Sequence, residues 1–572
     1  MFKQAKNRYI HIFLIALILL LVMTAFVSKK QIGHIDEFLS YSLANCGYMG
    51  RNHPEIFDKS LLWYAYDKIR YKDNSETSKT RDKIWNEPLL FIMFAGGNTS
   101  LSNKDVNYMM MPNDDAKFNL PSVNWNQSFD VHPPLYYMLL NIVCSAFDNN
   151  DKFSPWHGLS LNLFIFFFTL PLVYWLMQML SKGNHSLSLF AMCAYGLSAG
   201  STVAFLRMYM LLTFFTLLYT CLILKFFQDT THSKHYALSL FFTIVLGSLS
   251  HHYFFLYMGI SGLFLCVYLI FARKKECLID FLKISIPSVV VSLLLFPFTI
   301  VHLFFGEHSA TDIASRYANS SMILEISKYI GEYLGFVKHF IFGGAANFIL
   351  SFLLTALLIL YINRKKFNAI TPPKEIYFLV ATVMSFLVFV AITAKYHDER
   401  YIMNLYPIFS SLFVYLFYTV YKAFFENIKF KPALILIMLI LMANNNVKNT
   451  SNYLYLDSTK RYDALEEYKN IPCVYVYDDK DFDYSPRFGS FILIRELSLY
   501  PTVDFVKYYN LNDFLSTMDG NSAMVYFCSF KHEKYDAYMP EIEQLLKNTS
   551  RPYKMITNER GYPVYKLDLA SE

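Results

Sequence analysis

The chain has 572 residues, of which 54% are hydrophobic, 18% aromatic and only 17% charged, with a formal net charge of +6. A soluble protein of this length carries more charge, so the composition excludes an ordinary soluble enzyme and places the chain among membrane proteins. The positive balance calls for no nucleic-acid partner, because Lys and Arg gather in short breaks between apolar runs, the usual mark of cytoplasmic loops.

The first apolar run, from about Tyr9 to Val27, follows Lys3, Lys6 and Arg8. It is long for a signal-peptide core and no small-residue cleavage site follows, so it reads as a retained helix with its N-terminus in the cytoplasm. Beyond its far end stands the pair Asp36-Glu37, within a polar segment spanning residues 28–131. An insertion this long exceeds mere linkage. It is expected to form short helices on the membrane surface, anchored by Trp63, Tyr64 and Tyr66. Neighbours in a helix point about 100° apart, so the two acids cannot face one atom in the same way. One could act as base while the other orients it, or both could share a divalent cation such as magnesium or manganese. A solvated helix start explains the same pair without chemistry, since the helix dipole favours acids there.

The chain returns to the membrane at His132-Pro133-Pro134-Leu135-Tyr136-Tyr137, where two prolines stiffen the entry to a helix and fix His132 at the interface. From Pro134 to about Ala443 it is mostly apolar. The basic breaks (Lys225 to His235, Arg273 to Lys275, Asn363 to Lys374, Glu426 to Lys431) alternate with breaks at His251-His252, Glu307 to Asp312 and Lys395 to Arg400. Alternation places the second set outside, together with Arg207-Met208-Tyr209. That requires an even number of crossings between His132 and Arg207, yet three apolar segments lie there, at about 134–148, 159–180 and 187–204. The first spans only about 22 Å as a helix, against a core of about 30 Å, and is expected not to cross.

An arginine at mid-bilayer costs about 2.5–3.5 kcal/mol, whereas one at the rim can snorkel. At the rim, Arg207 offers a fork of donors suited to a phosphate. Lys395 and Arg400, with Asp398, Glu399 and Tyr401, form a second charged break on the same side. His251-His252 forms a third; either ring could position a substrate hydroxyl, or both could be plain interfacial histidines.

Residues 444–572 change character. Val474 to Tyr477 and Met524 to Phe527 read as buried strands, Tyr553 to Leu567 as a hairpin, and Leu465 to Tyr468 and Glu541 to Leu546 as helical. A small mixed α/β domain is expected outside the cytoplasm, where Cys473 and Cys528 could pair. Asp481-Phe482-Asp483 has no nucleotide-sugar fold around it. The expected division is therefore a transmembrane domain over 1–443, including the first outer loop at 28–131, and a C-terminal domain over 444–572.

In order and spacing, Asp36-Glu37, His132-Pro133-Pro134-Leu135-Tyr136-Tyr137, Arg207-Met208-Tyr209, His252-Tyr253 and Arg400-Tyr401 with Pro407 resemble the membrane glycosyltransferases of the GT-C class. The resemblance is to the bacterial branch of the protein O-mannosyltransferase and aminoarabinose transferase superfamily, over about residues 1–420. It implies about 11–13 spans, a bacterial inner-membrane location, and transfer of a sugar from a polyprenyl-phosphate donor to an envelope acceptor on the outer face. By similarity Asp36 would be the general base, with Glu37 beside it. Arg207, Arg400 and Lys395 would hold the donor phosphate, and His132, Tyr136, Tyr209, His251, His252 and Tyr401 would line the substrate site. A phosphate leaving group needs cations and no general acid, and an acceptor hydroxyl needs one carboxylate, so inversion is expected. A polysaccharide polymerase or ligase and a flippase or transporter of lipid-linked glycans are the alternatives. The first would concentrate basic residues in a late outer loop; the second would place charges at the midplane and build repeats.

Overall fold

The computed structural model describes residues 2–86, 100–147, 153–228, 233–305, 322–343, 349, 354, 372–424, 439–477, 493–527 and 535–569, except 32, 51–53, 72–73, 109, 395–396, 441, 445–446, 449–451, 519 and 559–561 within them. Cys528, Lys395 and the Asp481–Asp483 string lie outside the described residues.

Seven helices among the described residues are long and apolar enough to cross a membrane: Asn7–Val27, Trp156–Leu180, Tyr209–Phe227, His252–Phe271, Lys275–Leu295, Lys374–Thr393 and Glu399–Lys422. Their apolar character is continuous rather than striped, as befits helices covered by lipid on one side and protein on the other. The Tyr209–Phe227 helix is the central one, 83% buried, whereas Lys275–Leu295 is only 17% buried and stands at the edge.

The short helix Leu135–Ala146 has 12 residues, a length of about 18 Å. Its start, its middle and its end, where Ser145 Oγ accepts the Phe118 amide of the first outer loop (3.0 Å), meet one neighbourhood. Its Leu135 amide donates to Leu249 O (2.9 Å), and Asn141 Nδ2 donates to Ala44 O (2.9 Å) on the helix Ile35–Asn45. In the first turn of the next helix, Trp156–Leu180, the Gly158 amide donates to the Tyr41 hydroxyl on that same helix Ile35–Asn45 (2.7 Å). A Cβ at position 158 would press on this hydroxyl and on Leu206, so glycine permits the approach. The segment therefore leaves and re-enters at one rim. The helices Trp156–Leu180 and His185–Ser198, continued by Gly200–Ala204, then supply the two crossings that bring Arg207 back to it.

At the opposite end, the His11 and His185 rings stack at 5.6 Å near the start of the first helix. There Lys274 Nζ and Lys374 Nζ donate to Phe226 O (3.5 Å) and Phe227 O (3.1 Å), the terminal carbonyls of the central helix, where cations are favoured. Lys274 and Lys374 thus meet at one end of the central helix, and Asp36, Arg207, His251 and Arg400 lie at the other; the breaks at Glu307 to Asp312 and Glu426 to Lys431 and most of the one at Asn363 to Lys374 lie outside the described residues.

Among the described residues of 28–131 the short helices are Ile35–Asn45, Leu61–Tyr71, Glu76–Asn86, Asn103–Tyr108 and Leu120–Gln127. Trp63 and Tyr66 are exposed, as anchors would be, but Tyr64 is not an anchor: it is buried, donates to Ile56 O (2.6 Å) and packs edge-on against Trp125.

A six-stranded sheet has the order β1-β3-β2-β4-β6-β5, with β1 Ser100–Ser102, β2 Cys473–Tyr477, β3 Thr502–Lys507, β4 Ser522–Phe527, β5 Tyr553–Thr557 and β6 Val564–Asp568. Strands β3, β2 and β4 are parallel; β6, β5 and β1 run antiparallel to their neighbours. Strands β5 and β6 are the hairpin read from sequence, and β2 and β4 are the buried strands, side by side at the centre. The edge strand β1 comes from the first outer loop, so the sheet is not confined to 444–572. Its pairing with β3 places that loop and the C-terminal domain on one side of the helix bundle.

Candidate active site

The site is built on the helix Ile35–Asn45. His34 is its N-cap, accepting the Asp36 amide on Nδ1 (3.2 Å), and Glu37 at the third position closes a capping box by accepting the His34 amide on Oε2 (2.6 Å). A Cβ on Gly33 would collide with that Glu37 oxygen, so the close approach requires glycine. Glu37 is fully buried, and its other oxygen accepts the Leu206 amide (2.7 Å) and pairs with Lys30 Nζ (3.0 Å).

With Glu37 turned inward, Asp36 faces the rim. Its Oδ2 lies 2.5 Å from Arg400 Nη1 and 3.6 Å from Arg207 Nη1, and the His34 ring stands 3.6 Å away. The structure thus brings together one carboxylate and two guanidiniums from residues 36, 207 and 400. Burial alone would raise the Asp36 pKa, but the charges of Arg207, His34 and Arg400 outweigh it and bring it down to about 2.

Both arginines are held in place, as preorganised charge stabilisation requires. Arg207 lies in the break between Ala204 and Tyr209 rather than inside a helix. That break is pinned by Glu37 on the Leu206 amide, by Asn162 Nδ2 on Val203 O and Phe205 O (3.0 and 2.9 Å), and by Arg207 Nη1 on Asp36 O (3.0 Å). Arg400 sits in the 3-10 turn Glu399–Leu405, capped by Asp398, whose Oδ1 accepts the Arg400 amide (3.2 Å) and whose Oδ2 is 3.5 Å from its Nε. Glu399 points elsewhere, accepting from Tyr406 (2.6 Å) and Tyr453 (3.3 Å). Tyr453 O in turn accepts from Lys30 (2.6 Å), so the segment leading into the C-terminal domain ties into the network behind the site.

The shared-cation arrangement for Asp36 and Glu37 does not fit this geometry. Their carboxylates point apart, Glu37 is engaged by Lys30 and two amides, and Asp36 already faces two cations. Among the described residues no group of three or more His, Cys, Asp or Glu could hold a metal ion.

The remaining residues divide. Tyr209, His251 and His132 form a row of rings beside Arg207, with centroids 5.5 Å apart for the first pair and 5.6 Å for the second. Tyr401 meets Tyr253 edge-on at 5.6 Å. His251 caps the helix His252–Phe271 through Nδ1, and its buried Nε2 has no hydrogen-bond partner among the described residues. Burial, then the nearby charges of His132 and His252, hold His251 neutral, well below its usual pKa. Tyr136 and His252 do not join this row. Tyr136 is fully buried and turned toward Asn162 (3.5 Å), behind the Arg207 break, and His252 Nε2 is turned to His302 Nδ1 (3.3 Å).

Three participants went unread in the sequence. His34 carried a signal, the capping-box spacing His34-x-x-Glu37. Asp130 stands two residues before His132 and holds its Nδ1 (2.9 Å). Burial raises the Asp130 pKa, and the charge and hydrogen bond of His132, together with Arg207, lower it further than that, so it is ionised. Lys30 looked like an ordinary flank of the first helix, and nothing in its sequence setting marks it as a buried partner.

No protein-family model and no curated protein sequence matches the chain. Among solved structures, it is similar to ArnT from Cupriavidus metallidurans bound to undecaprenyl phosphate, at 11% identity and a TM-score of 0.48, covering 98% of each chain. It is also similar to the apo state of ArnT from that organism, at 12% identity and a TM-score of 0.39, over 86% of this chain and 99% of that one. Similarity at this level carries no chemistry across; the chemistry has to come from this chain's own side chains.

Proposed function

We propose that the protein is an integral-membrane glycosyltransferase of the GT-C type, taking a sugar from a polyprenyl-phosphate donor and passing it to an envelope acceptor at the non-cytoplasmic rim. The observation that carries this reading is the triad of Asp36, Arg207 and Arg400, at the end of the helix bundle opposite Lys274 and Lys374. Two fixed guanidiniums at the rim suit an anionic lipid headgroup, and one carboxylate between them suits an acceptor hydroxyl.

The triad implies an order of events. In the resting protein the arginines neutralise Asp36, which is then a weak base. A donor phosphate competes for the same guanidiniums. As they turn to it, Asp36 loses the charges that lower its pKa, keeps the burial that raises it, and becomes a competent base within reach of a hydroxyl. The acceptor oxygen then attacks the anomeric carbon as its proton passes to Asp36. The bond from that carbon to the phosphate oxygen breaks, and the polyprenyl phosphate leaves with its charge matched by Arg207 and Arg400. Attack opposite the leaving group by a single-base route inverts the anomeric centre.

The test is transfer itself. The purified protein is given an undecaprenyl-phosphate-linked sugar and candidate acceptors, and the parent is compared with Asp36→Asn and Arg207→Ala. Large losses in both variants, with thermal unfolding retained, support the reading; parent-like transfer in Asp36→Asn removes the base.

A further inference from the structure

A third carboxylate, Glu399, stands immediately before Arg400, and the catalytic reading gives it no task. Arg400 pairs with Asp36 and Asp398, at 2.5 and 3.5 Å; among the described residues it makes no ion pair with Glu399. Glu399 instead accepts two hydroxyls, that of Tyr406 on Oε1 (2.6 Å) and that of Tyr453 on Oε2 (3.3 Å). We propose that Tyr406 and Tyr453 are positioning residues that keep Glu399 off Arg400, so that this guanidinium stays open to a phosphate, and that Tyr453 thereby makes the C-terminal domain part of the site. The phosphate is that of the polyprenyl donor, so the proposal rests on the transferase reading.

Charge counting gives the reason. Asp36, Asp398 and Glu399 are three carboxylates around two guanidiniums. An acid beside a phosphate-binding arginine in the chain is a built-in competitor for it, because carboxylate and phosphate take the same fork of donors. A carboxylate that accepts a hydroxyl on each oxygen is satisfied without a cation. Glu399 is partly buried, so losing one hydroxyl leaves an oxygen short of a donor. The guanidinium of the next residue is a donor that the chain itself supplies.

The two tyrosines come from different places. Tyr406 begins the helix Tyr406–Phe424 and is fully buried, so its hydroxyl belongs to the bundle. Tyr453 lies outside the bundle. Its ring packs on Phe205 (5.4 Å), two residues before Arg207, and its carbonyl accepts Lys30, the partner of Glu37, which in turn holds the Leu206 amide. One residue thus touches the supports of both arginines. Two positions on, Tyr455 turns left-handed (φ 52°), with Lys30 Nζ 4.8 Å from its ring centre, and caps the helix Leu456–Glu466. Arg461 of that helix is buried against Glu496 (2.9 Å) and Tyr562 O (2.7 Å), just ahead of strand β6. The Tyr453 hydroxyl is therefore tied to the C-terminal sheet through one short, anchored segment.

The test reads phosphate binding without turnover. Equilibrium affinity for undecaprenyl phosphate is measured on the full chain in lipid nanodiscs. Tyr453→Phe and Tyr406→Phe each keep the ring and remove one hydroxyl, and each is expected to weaken binding about tenfold. Adding Glu399→Gln removes the competing charge and is expected to return affinity to within about threefold of the parent's. A packing role alone would show no such recovery, since the second substitution restores no contact. The two tyrosines lie in different elements, so one misfolded variant does not remove the test. Parent-like affinity in a folded hydroxyl variant, or a loss that Glu399→Gln does not recover, overturns the proposal and leaves the transferase reading standing. A parent that binds no undecaprenyl phosphate overturns that reading and the proposal with it.

Discussion

Replacing Asp36 by Asn separates two effects that an ordinary loss-of-function mutation would merge. The side chain keeps its shape and loses its charge and basicity. Its pKa in the resting protein falls from 3.8 to about 2. At 1.36 kcal/mol per unit, the surrounding cations favour the carboxylate, net of its burial, by about 2.5 kcal/mol. A donor phosphate has to overcome that attraction to claim the arginines. In Asp36→Asn the competition disappears, and the donor is expected to bind more tightly, by up to about fifty-fold. Removal of the base lowers kcat by about 10²–10⁴-fold. The variant should therefore hold its donor better and turn it over far worse. The assay pairs donor affinity, measured by equilibrium binding of an undecaprenyl-phosphate-linked sugar to nanodisc-embedded protein, with single-turnover transfer. Parent-like turnover would refute the base assignment. Weakened donor binding would refute the competition between carboxylate and phosphate.

Three further outcomes follow from the same geometry. In the free protein the ion pairs of Asp36 are fully formed above the ordinary carboxylate pKa of 3.8 and are lost only as pH falls through about 2; with donor bound, the acid limb should move up, so kcat should fall at a higher pH than kcat/KM, and coincident limbs would contradict the order of events proposed. Glu37→Gln leaves Lys30 buried without its counter-charge at 3.0 Å and should cost about 3–5 kcal/mol of stability; a melting temperature within a degree or so of the parent's would show that the pair does not hold the Arg207 break. Ser100→Cys with Asp504→Cys, directly opposite in the β1–β3 ladder, should form a disulfide detectable by mass after proteolysis, and a failure to cross-link under oxidising conditions would contradict the shared sheet.

Much of the architecture was legible because a bilayer imposes its own code. Apolar length marks spans and the placement of Lys and Arg marks sides, so the common rim of Asp36, Arg207, His251 and Arg400 followed from residue order alone. The exact crossing count between His132 and Arg207 was left open by the sequence, which offered only the shortness of the segment after Pro134. Strands β2, β4, β5 and β6 stood out by local pattern. Strand β1 did not, because three residues carry no periodicity and their pairing with β3 joins positions some four hundred apart.

What only tertiary structure decided was the division of labour between adjacent acids. Sequence shows Asp36 and Glu37 as equals. The fold turns Glu37 onto Lys30, Leu206 and His34, making it a brace, and leaves Asp36 facing two guanidiniums brought in from distant breaks. The same holds for Tyr136, Tyr64 and His252, whose residue types suit an interface but whose side chains are turned toward protein. Hydropathy is a property of each residue and can be summed along the chain. The direction a side chain takes depends on which distant group meets it, and that is settled only when the helices pack.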